Sequence, residues 1–245
     1  MIHAVILAAG LSRRMGAQKL LLPYAGRTLI GQVAGQVAAS GVDRIVAVVR
    51  GGDSPAGRAE EVAEALANLG VGRLEIAVNP DADADMLSSV RCGLRALPGD
   101  CEGFLVVLGD QPTITAGLID RMIAVFRAPA VGRDSANRSG ESSRAGAPST
   151  AKPPATAAPR AAGHSIVVPA HKGRRGHPIL FAACCRREVL TGLDGVGLRG
   201  LLAAHPEDVL ELPEAAPAIL ADLDWPEDYR RALAEAGIMR GSDAD

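Results

Sequence analysis

The sequence predicts an α/β fold, a single domain in which a mostly parallel sheet carries helices on both faces. Three observations lead there. Short runs such as residues 5–7 and 104–108 are apolar throughout, with no polar face, as in strands buried on both sides. Segments with helical periodicity alternate with these runs along the chain. With 245 residues at 48% hydrophobic content, the chain can bury one sizeable core.

The elements follow in order. Residues 5–7 form the first strand and run into a loop of small residues, Ala8-Ala9-Gly10-Leu11-Ser12-Arg13-Arg14-Met15-Gly16-Ala17-Gln18-Lys19. Residues 28–40 carry Leu29, Val33 and Val37 at helical spacing, and Gly41 sits where a C-terminal cap belongs. A second strand spans 44–49. A helix over 59–69 sets Val62, Leu66 and Leu69 on one face and closes at Gly70. A third strand covers 74–78, and a helix over 88–97 follows with Ser88 as its cap. The fourth strand is 104–108, and Thr115 caps a helix running to about 126. From 127 to 163 Ala, Ser, Pro, Gly and Arg dominate and apolar periodicity vanishes, so a disordered surface insertion is expected at about 128–163. Beyond it come strands at 165–168 and 179–181, a helix near 187–193, a short helix at 198–204 and an edge strand at 209–212. Pro226 opens a last helix that ends near residue 236.

Composition excludes several functions. A net charge of -2 gives no polyanion-binding surface, so nucleic acid is not an expected partner. Aromatics at 2% are too few for base stacking to be a main tool. No apolar run approaches the length of a membrane span. Met1-Ile2-His3 leads straight into a strand without a basic region before a long apolar stretch, so no signal peptide is read. Cys92, Cys101, Cys184 and Cys185 contain no Cys-x-x-Cys spacing. Reduced thiols and a cytoplasmic location are the simplest account, and a zinc site from His171, His177, Cys184 and Cys185 fits no familiar spacing.

Chemistry concentrates at the loops. In parallel sheets ligands bind beyond the carboxyl ends of the strands. The loops after the first and fourth strands, with Gly10 and Gly109-Asp110, would open onto one edge. Small residues let backbone N–H groups approach a ligand, and Arg and Lys neutralise phosphate oxygens. The first loop is neither a Walker A sequence nor a Gly-x-Gly-x-x-Gly turn. It reads as a site for an anionic ligand, with an ordinary solvated loop as the alternative. Lys19 is one of three lysines in a chain that otherwise uses arginine. Asp110 follows an apolar strand directly, and Asp224 lies in a second acidic turn. Two such carboxylates can grip one metal ion, and each could equally be a capping aspartate.

The spelling of these segments adds a resemblance. Leu7-Ala8-Ala9-Gly10-Leu11-Ser12-Arg13-Arg14-Met15-Gly16 followed by Lys19-Leu20-Leu21-Leu22-Pro23 is similar to the signature of the MobA-like nucleotidyltransferases. It looks closest to the branch containing molybdenum cofactor cytidylyltransferase. Three more segments match that branch in order: Gly109-Asp110-Gln111-Pro112, Gly173-Arg174-Arg175-Gly176-His177-Pro178, and Asp222-Leu223-Asp224-Trp225-Pro226-Glu227-Asp228. The resemblance implies a Rossmann-like nucleotidyltransferase fold over residues 1–245 and an enzyme that moves CMP from CTP to the phosphate of molybdenum cofactor. Leu7, Ala8, Ala9 and Gly10 would touch base and ribose through their backbone. Arg14 and Lys19 would hold the triphosphate, with Lys19, Arg14 and Asp110 catalytic and Asp110 and Asp224 holding Mg2+. Arg174, Arg175, His177 and Gln111 would bind the acceptor, molybdopterin. A molybdoenzyme or its chaperone is a further partner.

Asn79-Pro80 through Ser88-Ser89 resembles the family's serine stretch, in which Ser88 and Ser89 would bond the nucleotide. Here Asp85 replaces a usual glycine. If that position needs positive φ, aspartate tolerates it only moderately, and the hold on the nucleotide is expected to loosen. GTP as donor, another phosphorylated acceptor, a nicotine blue oxidoreductase-like activity and a non-catalytic cofactor chaperone stand as alternatives.

Overall fold

The computed structural model describes residues 1–10, 18–51, 59–81, 85–129, 164–221 and 223–237. Ile2–Ala8 forms β1, whose alternating side chains feed two layers. Ile2, Ala4, Ile6 and Ala8 enter one core cluster and Val5 the other. Pro23–Tyr24 (β2) and Arg27–Thr28 (β3) make a small antiparallel hairpin before helix α1, Leu29–Ala39. Arg44–Arg50 (β4), Ala59–Ala67 (α2), Leu74–Asn79 (β5), Met86–Ala96 (α3), Gly103–Leu108 (β6) and Ala116–Arg127 (α4) continue the alternation. Ile166–His171 (β7), Arg174–Arg175 (β8) and Ile179–Ala182 (β9) follow. Arg186–Thr191 (α5), Gly197–Ala204 (α6), Val209–Pro213 (β10) and Pro226–Glu235 (α7) complete the chain.

The sheet runs β10-β7-β9-β6-β1-β4-β5, with β8 paired to β7. The pairs of β1 with β4 and β6, of β4 with β5, and of β7 with β10 are parallel. Strand β9 lies antiparallel to both β6 and β7. There Phe104 and Phe181 face each other across the ladder and stack with ring centroids 5.2 Å apart, a pairing that fastens the reversed strand. Helices α1, α2 and α4 cover one face through Val33, Leu66 and Met122. Helices α3, α5 and α6 cover the other through Leu94, Val189 and Leu201.

The chain steps outward from β1 to β4 and β5, then returns to the far side of β1 as β6. That reversal opens a crevice at the carboxyl ends of β1 and β6, the position the sequence analysis assigned to the ligand. Thr28 and Thr115 cap α1 and α4, accepting from Gly31 N and Leu118 N. Gly41 does not cap α1: the helix closes at Ser40 in extended backbone, and the Gly41 N–H donates to Asp120 at 2.7 Å. Gly70 does take a left-handed φ of 64° after α2. The insertion expected at about 128–163 falls outside the described residues from 130 onward. Among the described residues no helix is long and apolar enough to cross a membrane.

Candidate active site

At the crevice the two loops are joined by backbone. The Gly109 N–H donates to Leu7 O at 3.0 Å, and a Cβ on residue 109 would stand 2.7 Å from that same oxygen, so only glycine permits the approach. Asp110 follows at once, carried by the rigid end of β6. Its Oδ2 accepts from Lys19 Nζ at 2.6 Å, and the same ammonium donates to Asp224 Oδ1 at 2.9 Å. Lys19 opens a short 3-10 turn, Lys19–Leu21, anchored by buried Leu20. The lysine side chain is 10% exposed, Asp110 20% and Asp224 45%. Burial works against the charge on Lys19, but the charges and hydrogen bonds of Asp110 and Asp224 outweigh it and raise its pKa above the ordinary lysine value.

Asp224 reaches this point because α7 is pinned over the β2–β3 hairpin. Leu223 and Ala232 pack with Tyr24 and Leu29, and Tyr229 Oη donates to Pro23 O at 2.5 Å. The next residue, Trp225, is the N-cap of α7, and its N–H donates to Asp228 Oδ2 at 3.2 Å.

A cleft of about 310 Å³ lies over the pair of aspartates. Leu7, Ala9 and Gly10 line it from the end of β1, and Asp85, Met86 and Ser89 from the start of α3. Ser89 is held from behind: Asn79 Nδ2 donates to Ser88 Oγ at 3.1 Å and to Ser89 Oγ at 3.2 Å. The sequence reading of this stretch needs two corrections. Asp85 has φ -73° and ψ 174°, ordinary extended backbone, so no positive-φ strain arises. Ser88 does not cap α3 either. Asp85 is the N-cap and accepts from the Ser88 N–H at 2.8 Å, a role for which aspartate is among the preferred residues.

A second cleft, of about 420 Å³, adjoins the first through a single peptide: Asp110 lines one and Gln111 the other. Arg174, Arg175 and His177 line this second cleft together with Arg199 from α6 and the turn Pro217–Leu220. Arg175 is engaged by Glu211 at 2.7 Å. The loop and the turn are tied: the His177 N–H donates to Ile219 O at 3.2 Å, and Thr113 Oγ1 to Ala218 O at 3.0 Å.

The residues singled out from sequence thus fall into two groups. Leu7, Ala9, Gly10, Ser89, Asp110 and Asp224 face the first cleft, with Lys19 bound to its carboxylates. The Ala8 side chain is buried in the core, leaving only its backbone for a ligand, and Ser88 sits behind Ser89 on Asn79. Gln111, Arg174, Arg175 and His177 face the second. Arg13, Arg14 and Asp222 lie outside the described residues. Cys184 is exposed and Cys185 buried, and neither lines either cleft. Sequence reasoning missed the capping role of Asp85, the clamp by Asn79, and Arg199. The last was legible as a cation beside the apolar stripe Leu198, Leu201 and Leu202.

The fold, with its crevice at the carboxyl ends of β1 and β6, is that of a nucleotidyltransferase, and the family comparison agrees. The chain belongs to the MobA-like NTP transferase domain family, whose model matches residues 4–209. It is 26% identical to molybdenum cofactor cytidylyltransferase of Escherichia coli K12 over 93% of both chains. It is 30% identical to nicotine blue oxidoreductase of Paenarthrobacter nicotinovorans over 84% of this chain and 83% of that one. Bifunctional protein GlmU of Micrococcus luteus is 35% identical over 127 residues, a match covering 51% of this chain and 25% of that protein's length. Among solved structures, a nucleotidyl transferase from Methanothermobacter thermautotroptrophicus superposes with a TM-score of 0.69 at 23% identity, covering 98% of this chain and 99% of that one.

Proposed function

We propose that the chain transfers CMP from CTP to the phosphate of molybdenum cofactor (molybdopterin), forming molybdopterin cytosine dinucleotide and pyrophosphate. The observation that carries this reading is the convergence of Lys19, Asp110 and Asp224 beside Ala9 and Gly10, with an arginine-lined cleft beginning at the very next residue, Gln111. The E. coli relative, similar along nearly its whole length, supplies the choice of donor and acceptor.

In this reading the nucleotide occupies the first cleft against the backbone of Leu7, Ala9 and Gly10 and the hydroxyl of Ser89. Arg14, which lies outside the described residues, is assigned to the triphosphate by the family resemblance alone. The acceptor phosphate occupies the second cleft, held by Arg174, His177 and Gln111. One of its oxygens attacks the α-phosphorus in line, and a new phosphoanhydride bond forms. The bond from that phosphorus to the β-bridging oxygen breaks, and pyrophosphate leaves with the electron pair. A phosphate monoester is mostly dianionic at neutral pH, so no general base is required and His177 serves in binding. Lys19 remains charged through the neutral range and stabilises negative charge on the α-phosphate.

The donor set is of the kind a hard divalent cation takes, two carboxylates of which Asp224 is open to solvent, but both bind the Lys19 ammonium here, so a cation would use their other oxygens or take the place of Lys19 Nζ. Asp110 and Asp224 would hold Mg2+, which when bound neutralises triphosphate oxygens. The test is pyrophosphate release by purified protein with Mg2+ and CTP, GTP, ATP or UTP, each with and without molybdenum cofactor. CTP-specific, cofactor-dependent release that is lost in Asp110→Ala is the expected result. Release with another nucleotide, or without the cofactor, reassigns the donor or acceptor. A second reading rests on the oxidoreductase relative. It requires NADPH consumption with a dye-like substrate, followed by absorbance, and the present reading expects none.

A further inference from the structure

Helix α6 places a cation in the second cleft that no role above uses. Leu198 and Leu201 are sunk into the core, 8% and 0% exposed, and their burial fixes the rotation of the helix. Arg199, Leu202 and Ala203, spaced i, i+3 and i+4, therefore share one stripe, and all three line the cleft. Arg175 is already paired with Glu211. Among the described residues Arg174 and Arg199 pair with no carboxylate and no acidic side chain lines this cleft. The remaining walls are apolar, from Val168, Ile179, Leu202 and Ile219. A volume of about 420 Å³ is enough for a ring compound.

We infer that Arg199 is a specificity-determining residue for the acceptor: with Arg174 it grips an anionic group on a substrate whose ring body lies against the apolar wall. This rests on the reading of the second cleft as the acceptor site. The acceptor class that follows is a phosphorylated ring compound, since a planar guanidinium fork matches phosphate oxygens two at a time, whereas lysine offers only a point charge. Two guanidinium groups with no carboxylate partner among the described residues also select against neutral acceptors, whose binding would leave both charges uncompensated.

The test uses Arg199→Gln and Arg199→Lys, both on an exposed side chain whose loss leaves the core intact. With saturating Mg2+ and CTP, the KM for molybdenum cofactor is expected to rise about tenfold or more in Arg199→Gln. The KM for CTP stays within about twofold, and Arg199→Lys falls between Arg199→Gln and the wild type. An unchanged acceptor KM, or equal rises in both constants, would overturn the inference while leaving the nucleotidyl-transfer reading in place. A separate measurement does not need turnover: inorganic phosphate is titrated into the wild type and Arg199→Gln while the amide signals of Gly176 and His177 are followed by NMR. Binding weakened several-fold in the variant supports the anion grip even if molybdenum cofactor proves to be the wrong acceptor. Equal phosphate binding by both proteins, or none by either, overturns it.

Discussion

The two clefts meet at one peptide bond and are built from opposite charges. The cleft at the carboxyl ends of β1 and β6 is lined by Asp85, Asp110 and Asp224 and, among the described residues, by no arginine. Its neighbour, framed by β8, the β9 end and α6, is lined by Arg174, Arg175 and Arg199 and, among the described residues, by no acid. An acid-lined cleft repels a bare polyphosphate and favours one that arrives with a cation. An arginine-lined cleft takes the anion directly. Two reactants that are both phosphates can thus be told apart by what accompanies them.

The largest expected effect lies in the acidic cleft. Lys19→Met removes the charge between Asp110 and Asp224, and kcat for pyrophosphate release should fall about 10²–10³-fold with the acceptor KM unchanged. A comparable rise in the acceptor KM would break the division between the clefts. In the arginine cleft, Arg174→Gln should raise the acceptor KM about tenfold and leave kcat within a few-fold, read from initial rates. Smaller effects sharpen the frame. Asp85→Ala should cost about 1 kcal/mol through loss of the α3 cap, and Asp85→Gly only about a few tenths, read from urea midpoints. A gain on Asp85→Gly would restore the strained-backbone idea. The smallest concerns His3, fully buried at the start of β1 with neither ring nitrogen bonded among the described residues. Burial lowers its pKa below the ordinary 6.5, so as pH falls below that value the unfolded chain binds the proton first and stability drops. Stability curves at pH 5.5 and 7.5 should differ less in His3→Leu than in the wild type.

What could be read from the sequence follows physical lines. Apolar runs announced β1, β4 and β6, helical spacing announced α1, and the Thr115 cap announced α4, because burial and capping are local demands. The strands extend beyond the predicted bounds because ladder pairing tolerates His3, Arg50 and His171 at their ends. The β2–β3 hairpin and β8, two residues per strand, are too short to show a period. Nothing in the composition of 179–181 marks β9 as the reversed strand. The ion-paired cluster joins residues 91 and 205 positions apart, a contact only topology can make. Its members were named through resemblance, whereas Arg199 needed the cleft to be seen.

The most direct test of the two-cleft account is to titrate Mg2+ with a non-hydrolysable CTP analogue and map amide shifts by NMR. The account predicts changes at Ala9, Gly10, Asp85, Ser89 and Asp110, with Arg174, Gly176 and His177 quiet until the acceptor is added. Shifts centred on 173–177 and 197–203 with the nucleotide alone would contradict it.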